Sequence, residues 1–82
     1  MMNKRVEIRA PEHHTECTAV LSYWYVSVGQ AVKAGEDLLD YETEKTVVTL
    51  EAPVDGILAE VLVAEDQAIH PSMLLGVIES TG

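Results

Sequence analysis

Lys45 lies within Tyr41-Glu42-Thr43-Glu44-Lys45-Thr46-Val47-Val48, between two β-prone runs, Asp37–Thr43 and Thr46–Ala52. Only Glu44 and Lys45 are left to make the turn, so the spacing predicts a two-residue hairpin tip. A tip of that kind holds an amine at maximal exposure on a rigid support. Glu42 and Glu44 precede the lysine by three and one positions and form a negative collar. Such a collar favours the protonated amine, so Lys45 is not expected to act as a nucleophile unaided. The chemistry it suits is modification by an enzyme that removes the proton within its own site. The plainer reading is a surface lysine that guards a hairpin edge against stray strand pairing.

A second group of chemistry-bearing residues is Glu12, His13, His14, Glu16 and Cys17 in the segment Pro11–Thr18. Adjacent histidines diverge on an extended chain and no second cluster completes a ligand set, so no metal site is expected. The segment reads as a solvated recognition loop. Cys17, the single cysteine, has no disulfide partner and no motif that would make it a catalytic thiol. No catalytic residue is expected anywhere in the chain.

The elements that must position Lys45 are strands. Apolar residues come in short runs rich in Val, Ile, Leu, Tyr and Thr, separated by turn signals such as Asp55-Gly56. About eight strands follow: Arg5–Arg9, Ala19–Val28, Gln30–Val32, Asp37–Thr43, Thr46–Ala52, Ile57–Ala64, Gln67–Ile69 and Leu74–Glu79. Trp24, inside the second run, reads as core. Sliding the chain by 37 residues pairs Val26–Val32 with Val63–Ile69, Leu21 with Leu58, Leu38 with Leu75 and Glu42 with Glu79. The predicted fold is all-β: a flattened barrel or sandwich of two four-stranded antiparallel sheets with pseudo-two-fold symmetry. In that symmetry the Glu44-Lys45 turn is equivalent to the chain end, which places the termini at the pole opposite Lys45.

Eighty-two residues allow one domain, taken as 1–82 with its core at about 6–79. The net charge is −9, and beyond residue 10 thirteen acids face only Lys33 and Lys45. That imbalance argues against nucleic acid and anionic membranes as partners. No run has the length of a membrane span, and no signal or transit segment is visible. With one cysteine, a cytoplasmic setting is the expectation.

Glu42-Thr43-Glu44-Lys45-Thr46, Val28-Gly29-Gln30-Ala31-Val32-Lys33-Ala34-Gly35 and Ala52-Pro53-Val54-Asp55-Gly56 together resemble the lipoyl domain of the biotin/lipoyl-carrier family, over residues 6–79. The resemblance implies a barrel-sandwich hybrid with lipoate amide-linked to Lys45. It further implies a swinging arm that carries acyl groups and reducing equivalents within a 2-oxo acid dehydrogenase complex. The implied partners are a lipoate ligase or lipoyl transferase, a thiamine-diphosphate-dependent 2-oxo acid dehydrogenase, an acyltransferase core and dihydrolipoamide dehydrogenase. Glu42, Thr43, Glu44 and Thr46 would be read by the modifying enzyme, and Glu12, His13, His14 and Glu16 by partners. Biotin carriers flank their lysine with methionines, whereas Glu44 and Thr46 stand here, which favours lipoate. An unmodified interaction domain on the same scaffold, or a biotin acceptor, are the alternatives. Asp66 stands where the family's second turn commonly has glycine, and Ser72 is the repeat mate of Gly35, so altered turn geometry in the second half is expected. The chain reads as one domain of a longer acyltransferase or a free-standing carrier; Met1-Met2 favours a native start.

Overall fold

Alternation of apolar and polar side chains dictates the strands, because successive residues on an extended chain point to opposite faces. In Val6-Glu7-Ile8-Arg9 only the aliphatic residues turn inward, and in Val47-Val48-Thr49-Leu50-Glu51 only Val48 and Leu50 reach the core. The computed structural model describes residues 4–11 and 19–80, and among these every regular element is a strand. They are β1 (Lys4–Arg9), β2 (Ala19–Trp24), β3 (Ala31–Val32), β4 (Asp37–Glu42), β5 (Val47–Glu51), β6 (Gly56–Val61), β7 (Ala68–Ile69) and β8 (Leu74–Ser80). One sheet has the order β1-β8-β6-β3 and the other β5-β4-β2-β7, and every pairing is antiparallel. Leu21, Leu38, Leu39, Leu58, Val63, Leu75 and Ile78 fill the space between the sheets, and no polar or charged side chain is buried among the described residues.

The two sheet orders superpose when β1, β8, β6 and β3 are exchanged for β5, β4, β2 and β7, which is the predicted pseudo-two-fold. It extends to single hydrogen bonds. The Gly29 amide donates to the Leu58 carbonyl (2.8 Å) and the Asp66 amide to the Leu21 carbonyl (2.7 Å). The Tyr25 amide donates to Leu38 (2.8 Å) and that of Leu62 to Leu75 (2.9 Å). Each pair is related by the 37-residue offset. The symmetry breaks at one connection: nine residues separate β1 from β2, but four separate β5 from β6.

Two expectations are corrected. The runs Ala19–Val28 and Ile57–Ala64 are not single strands; β2 stops at Trp24 and β6 at Val61. Beyond those points the chain crosses from one sheet to the other, and Val26 and Val63 are buried in the crossing. Apolar crossover residues therefore extend the hydrophobic run past the strand. Nor does the second half have altered turns. Asp66 (φ 69°) and Ser72 (φ 62°) adopt the left-handed conformation of their mates Gly29 (φ 92°) and Gly35 (φ 90°). The surrounding bonds persist too: Gln30 and Gln67 each turn a side-chain oxygen back onto the amide three residues earlier, at 3.1 and 2.9 Å.

Candidate functional site

Lys45 crowns the β4–β5 hairpin. Glu42 lies opposite Val47 and Tyr41 opposite Val48, so the ladder holds to the last residue before the turn. Tyr41 is buried at the base of the hairpin, and burial pushes its hydroxyl above the ordinary tyrosine value. That inward anchor turns Glu42 outward, while Glu44, Lys45 and Thr46 are exposed.

Thr43 makes the turn. Its amide donates to the Thr46 carbonyl (2.8 Å), closing the loop. Its hydroxyl accepts from the amides of Lys45 and Thr46, both at 3.2 Å, and donates to the Thr46 carbonyl at 3.3 Å. One donation and two acceptances are all that a hydroxyl offers. Neither Glu44 nor Lys45 takes a positive φ, so the tip is not one of the primed turns usual in two-residue hairpins. The Thr43 side chain fixes the backbone instead. The Lys45 amine has no hydrogen bond or ion pair among the described residues.

The path of the chain sets where this tip lies. Val32 pairs with Gly56 and Gly56 with Ser80, while Ser80 also faces Lys4. The Ala34 amide, just before β4, donates to the Asp55 carboxylate at 2.8 Å. β4 thus leaves from beside Lys4 and Ser80 and runs its full length to the hairpin. Lys45 and the strand ends Lys4 and Ser80 occupy opposite poles, as the repeat implies.

Of the other sequence-derived site residues, Glu12, His13, His14, Glu16 and Cys17 lie outside the described residues. The flanks can be placed: Val20, near the start of β2, lies opposite Glu42. His70 is exposed, and no group of three or more metal-ligating side chains occurs among the described residues. Trp24 belongs to the core side; its indole NH donates to the Val63 carbonyl at 2.9 Å. No helix among the described residues is long and apolar enough to cross a membrane.

One feature escaped the sequence. On the outer face of the β5-β4-β2-β7 sheet, Asp40 accepts from the hydroxyls of Tyr25 and Thr49, each at 2.6 Å. Tyr23 meets Tyr25 edge-to-face, with ring centroids 5.0 Å apart at 79°. The bond to Asp40, then desolvation and the charges of Asp40 and Asp37, raise the Tyr25 pKa above its ordinary value. The signal was Tyr23 and Tyr25 flanking the inward Trp24, which puts both rings on the opposite face.

This two-sheet barrel with an exposed lysine at one pole has the fold of a lipoyl domain. The solution structure of the lipoyl domain of the 2-oxoglutarate dehydrogenase complex from Azotobacter vinelandii matches 94% of this chain and 98% of its own, at 31% identity and a TM-score of 0.77. A family model, biotin/lipoyl, described as "Biotin-requiring enzyme", matches residues 6–78, and the chain belongs to that family. The succinyltransferase component of the 2-oxoglutarate dehydrogenase complex of Pseudomonas aeruginosa is 33% identical over 78 residues, covering 94% of this chain and 19% of the relative. The acetyltransferase component of the pyruvate dehydrogenase complex of Zymomonas mobilis is 33% identical over 79 residues, covering 94% and 18%. The chain thus spans about a fifth of the length of the curated relatives it matches.

Proposed function

We propose that the domain carries lipoate, amide-linked to Lys45, as a swinging arm within a 2-oxo acid dehydrogenase complex. The observation that carries this reading is the Lys45 amine itself, exposed and without a polar contact among the described residues on a backbone fixed by Thr43. Those residues fit the group: nothing must be displaced for the Nζ to enter a modifying enzyme and form an amide. When bound, lipoate supplies a dithiolane that carries acyl groups and electrons reversibly. Lipoate fits better than biotin because Glu44 and Thr46 flank the lysine, while Met73 packs against the core.

The protein's own contribution is tethering. A rigid tip raises the effective concentration of the arm at sites held in one assembly. Partners follow from that role: a lipoate ligase or lipoyl transferase to load Lys45, a thiamine-diphosphate-dependent dehydrogenase, an acyltransferase core and dihydrolipoamide dehydrogenase. The single cysteine supports a cytoplasmic setting. The relatives named above belong to both 2-oxoglutarate and pyruvate systems, so the reading commits to the class of complex. Intact mass after incubation with lipoate, ATP and a lipoate ligase tests it. Wild type gains one lipoyl group and Lys45→Ala gains none; an addition that survives Lys45→Ala, or no addition to wild type, overturns it.

A further inference from the structure

The two outer faces of the barrel are unlike. On the β1-β8-β6-β3 side the charges neutralise one another: Arg5 pairs with Glu60 across β8, and Arg9 pairs with Glu7 at 2.8 Å. Val77 lies between Glu7 and Glu60 in register and is only 5% exposed, while Ile57 and Val61 on β6 stay exposed, so what this face closes off is its charge. The β5-β4-β2-β7 side is open. Tyr23 is 51% exposed, Tyr25 45% and Val47 55%. Around them stand Asp37, Asp40, Glu42 and Glu51, and these four strands contain no lysine or arginine. Asp37 lies directly opposite Glu51 in the ladder. Like charges so placed destabilise a sheet, and among the described residues no cation relieves them.

We infer that this tyrosine-bearing sheet face is a docking surface for an arginine-presenting rim on the enzyme that acylates the arm, which rests on the carrier reading above. Charge complementarity selects the occupant. A guanidinium can stack on an aromatic ring and fork onto a carboxylate at once, which a lysine ammonium cannot. The Tyr25 hydroxyl is held by Asp40 and its ring by Tyr23, so the anchor is formed before the partner arrives. The face is continuous with the site, since Glu42 and Val47 at its upper edge are the last paired residues before the Lys45 turn. An enzyme acting on the far end of the arm meets the same chemical group on every carrier. Discrimination must therefore come from protein surface, here the face that runs from the hairpin along β4 and β5 to Asp37 and Glu51 at the far end of the ladder.

The test measures binding of the purified dehydrogenase components of the 2-oxoglutarate and pyruvate complexes to the unlipoylated domain carrying Lys45→Ala. That variant should bind one of them as wild type does, which separates docking from attachment of the arm. The further changes Tyr23→Ala with Tyr25→Ala, and Asp37→Asn with Glu51→Gln, should each raise Kd about tenfold. The second pair should also flatten the salt dependence and raise the melting temperature, an opposition that a structural role does not produce. Glu7→Gln and Glu60→Gln on the other face should leave Kd within about twofold. The inference is overturned if the face variants bind normally, if the opposite-face controls weaken binding equally, or if neither component binds the Lys45→Ala domain. Failure of the lipoate reading shows separately, as missing mass on wild type.

Discussion

A threonine hydroxyl sets the shape of the site. Thr43 uses its whole hydrogen-bonding capacity to hold the amides of Lys45 and Thr46 and the carbonyl of Thr46. Thr43→Val keeps the volume and removes all three contacts. It should cost about 1 kcal/mol of stability and slow lipoylation of Lys45, while Thr43→Ser restores both; thermal melts and a timed mass assay check this. Tyr25 offers a second prediction with a definite sign. Its pKa is raised, first by the hydrogen bond to Asp40. The folded state therefore retains a proton that the unfolded chain loses as pH passes the ordinary tyrosine value of about 10. The bond's stabilising contribution is complete below that pH and is lost as pH rises through the folded value. Tyr25→Phe should make the melting temperature fall less steeply above that point, with a higher-pH step missing from the ultraviolet titration at 295 nm. Lys45 was legible in the sequence because its neighbours are few and local. The hydroxyl cage was not, because a two-residue loop ordinarily suggests positive φ and gives no hint that a side chain will replace it.

At the level of elements, the repeat separates what a turn requires from what occupies it. Gly29 and Gly35 adopt left-handed backbones without strain, whereas Asp66 and Ser72 hold the same geometry with a Cβ. Aspartate tolerates that region better than serine, through local hydrogen bonding. Ser72→Gly should therefore stabilise the domain by about 0.5 kcal/mol, the relief exceeding the added entropy of the unfolded chain, and Asp66→Gly should gain less. Gly56 is the opposite case. A Cβ there would sit 2.3 Å from the Glu79 carbonyl oxygen, where β6 and β8 run side by side. Gly56→Ala should cost about 2–3 kcal/mol by denaturant unfolding. The sequence showed eight strands and their twofold order, since alternation and spacing are local. It did not show where β2 and β6 end. Tyr25, Val26, Leu62 and Val63 are as β-prone in a crossover as in a ladder, and only pairing partners distant in the chain mark the boundary.

For the whole molecule, net charge is less informative than its placement. A charge of −9 read from composition argues against phosphate-rich partners, but the structure sorts its sources. Arg5 and Arg9 are spent on Glu60 and Glu7, on one face. The other face keeps Asp37, Asp40, Glu42 and Glu51 without a basic neighbour on its strands. No count of acids could reveal that division, because it depends on which strands the topology places side by side.

The pairing of Lys4 with Ser80 has a mechanical consequence. A polypeptide joined to either terminus would grip the domain at one pole, while Lys45 rides at the other end of a body whose longest dimension is 43 Å. The barrel would then act as a stiff lever in series with whatever held that pole. A modest swing at the joined pole becomes a wide sweep of the lysine, and the folded domain adds its own length to the reach of whatever it carries.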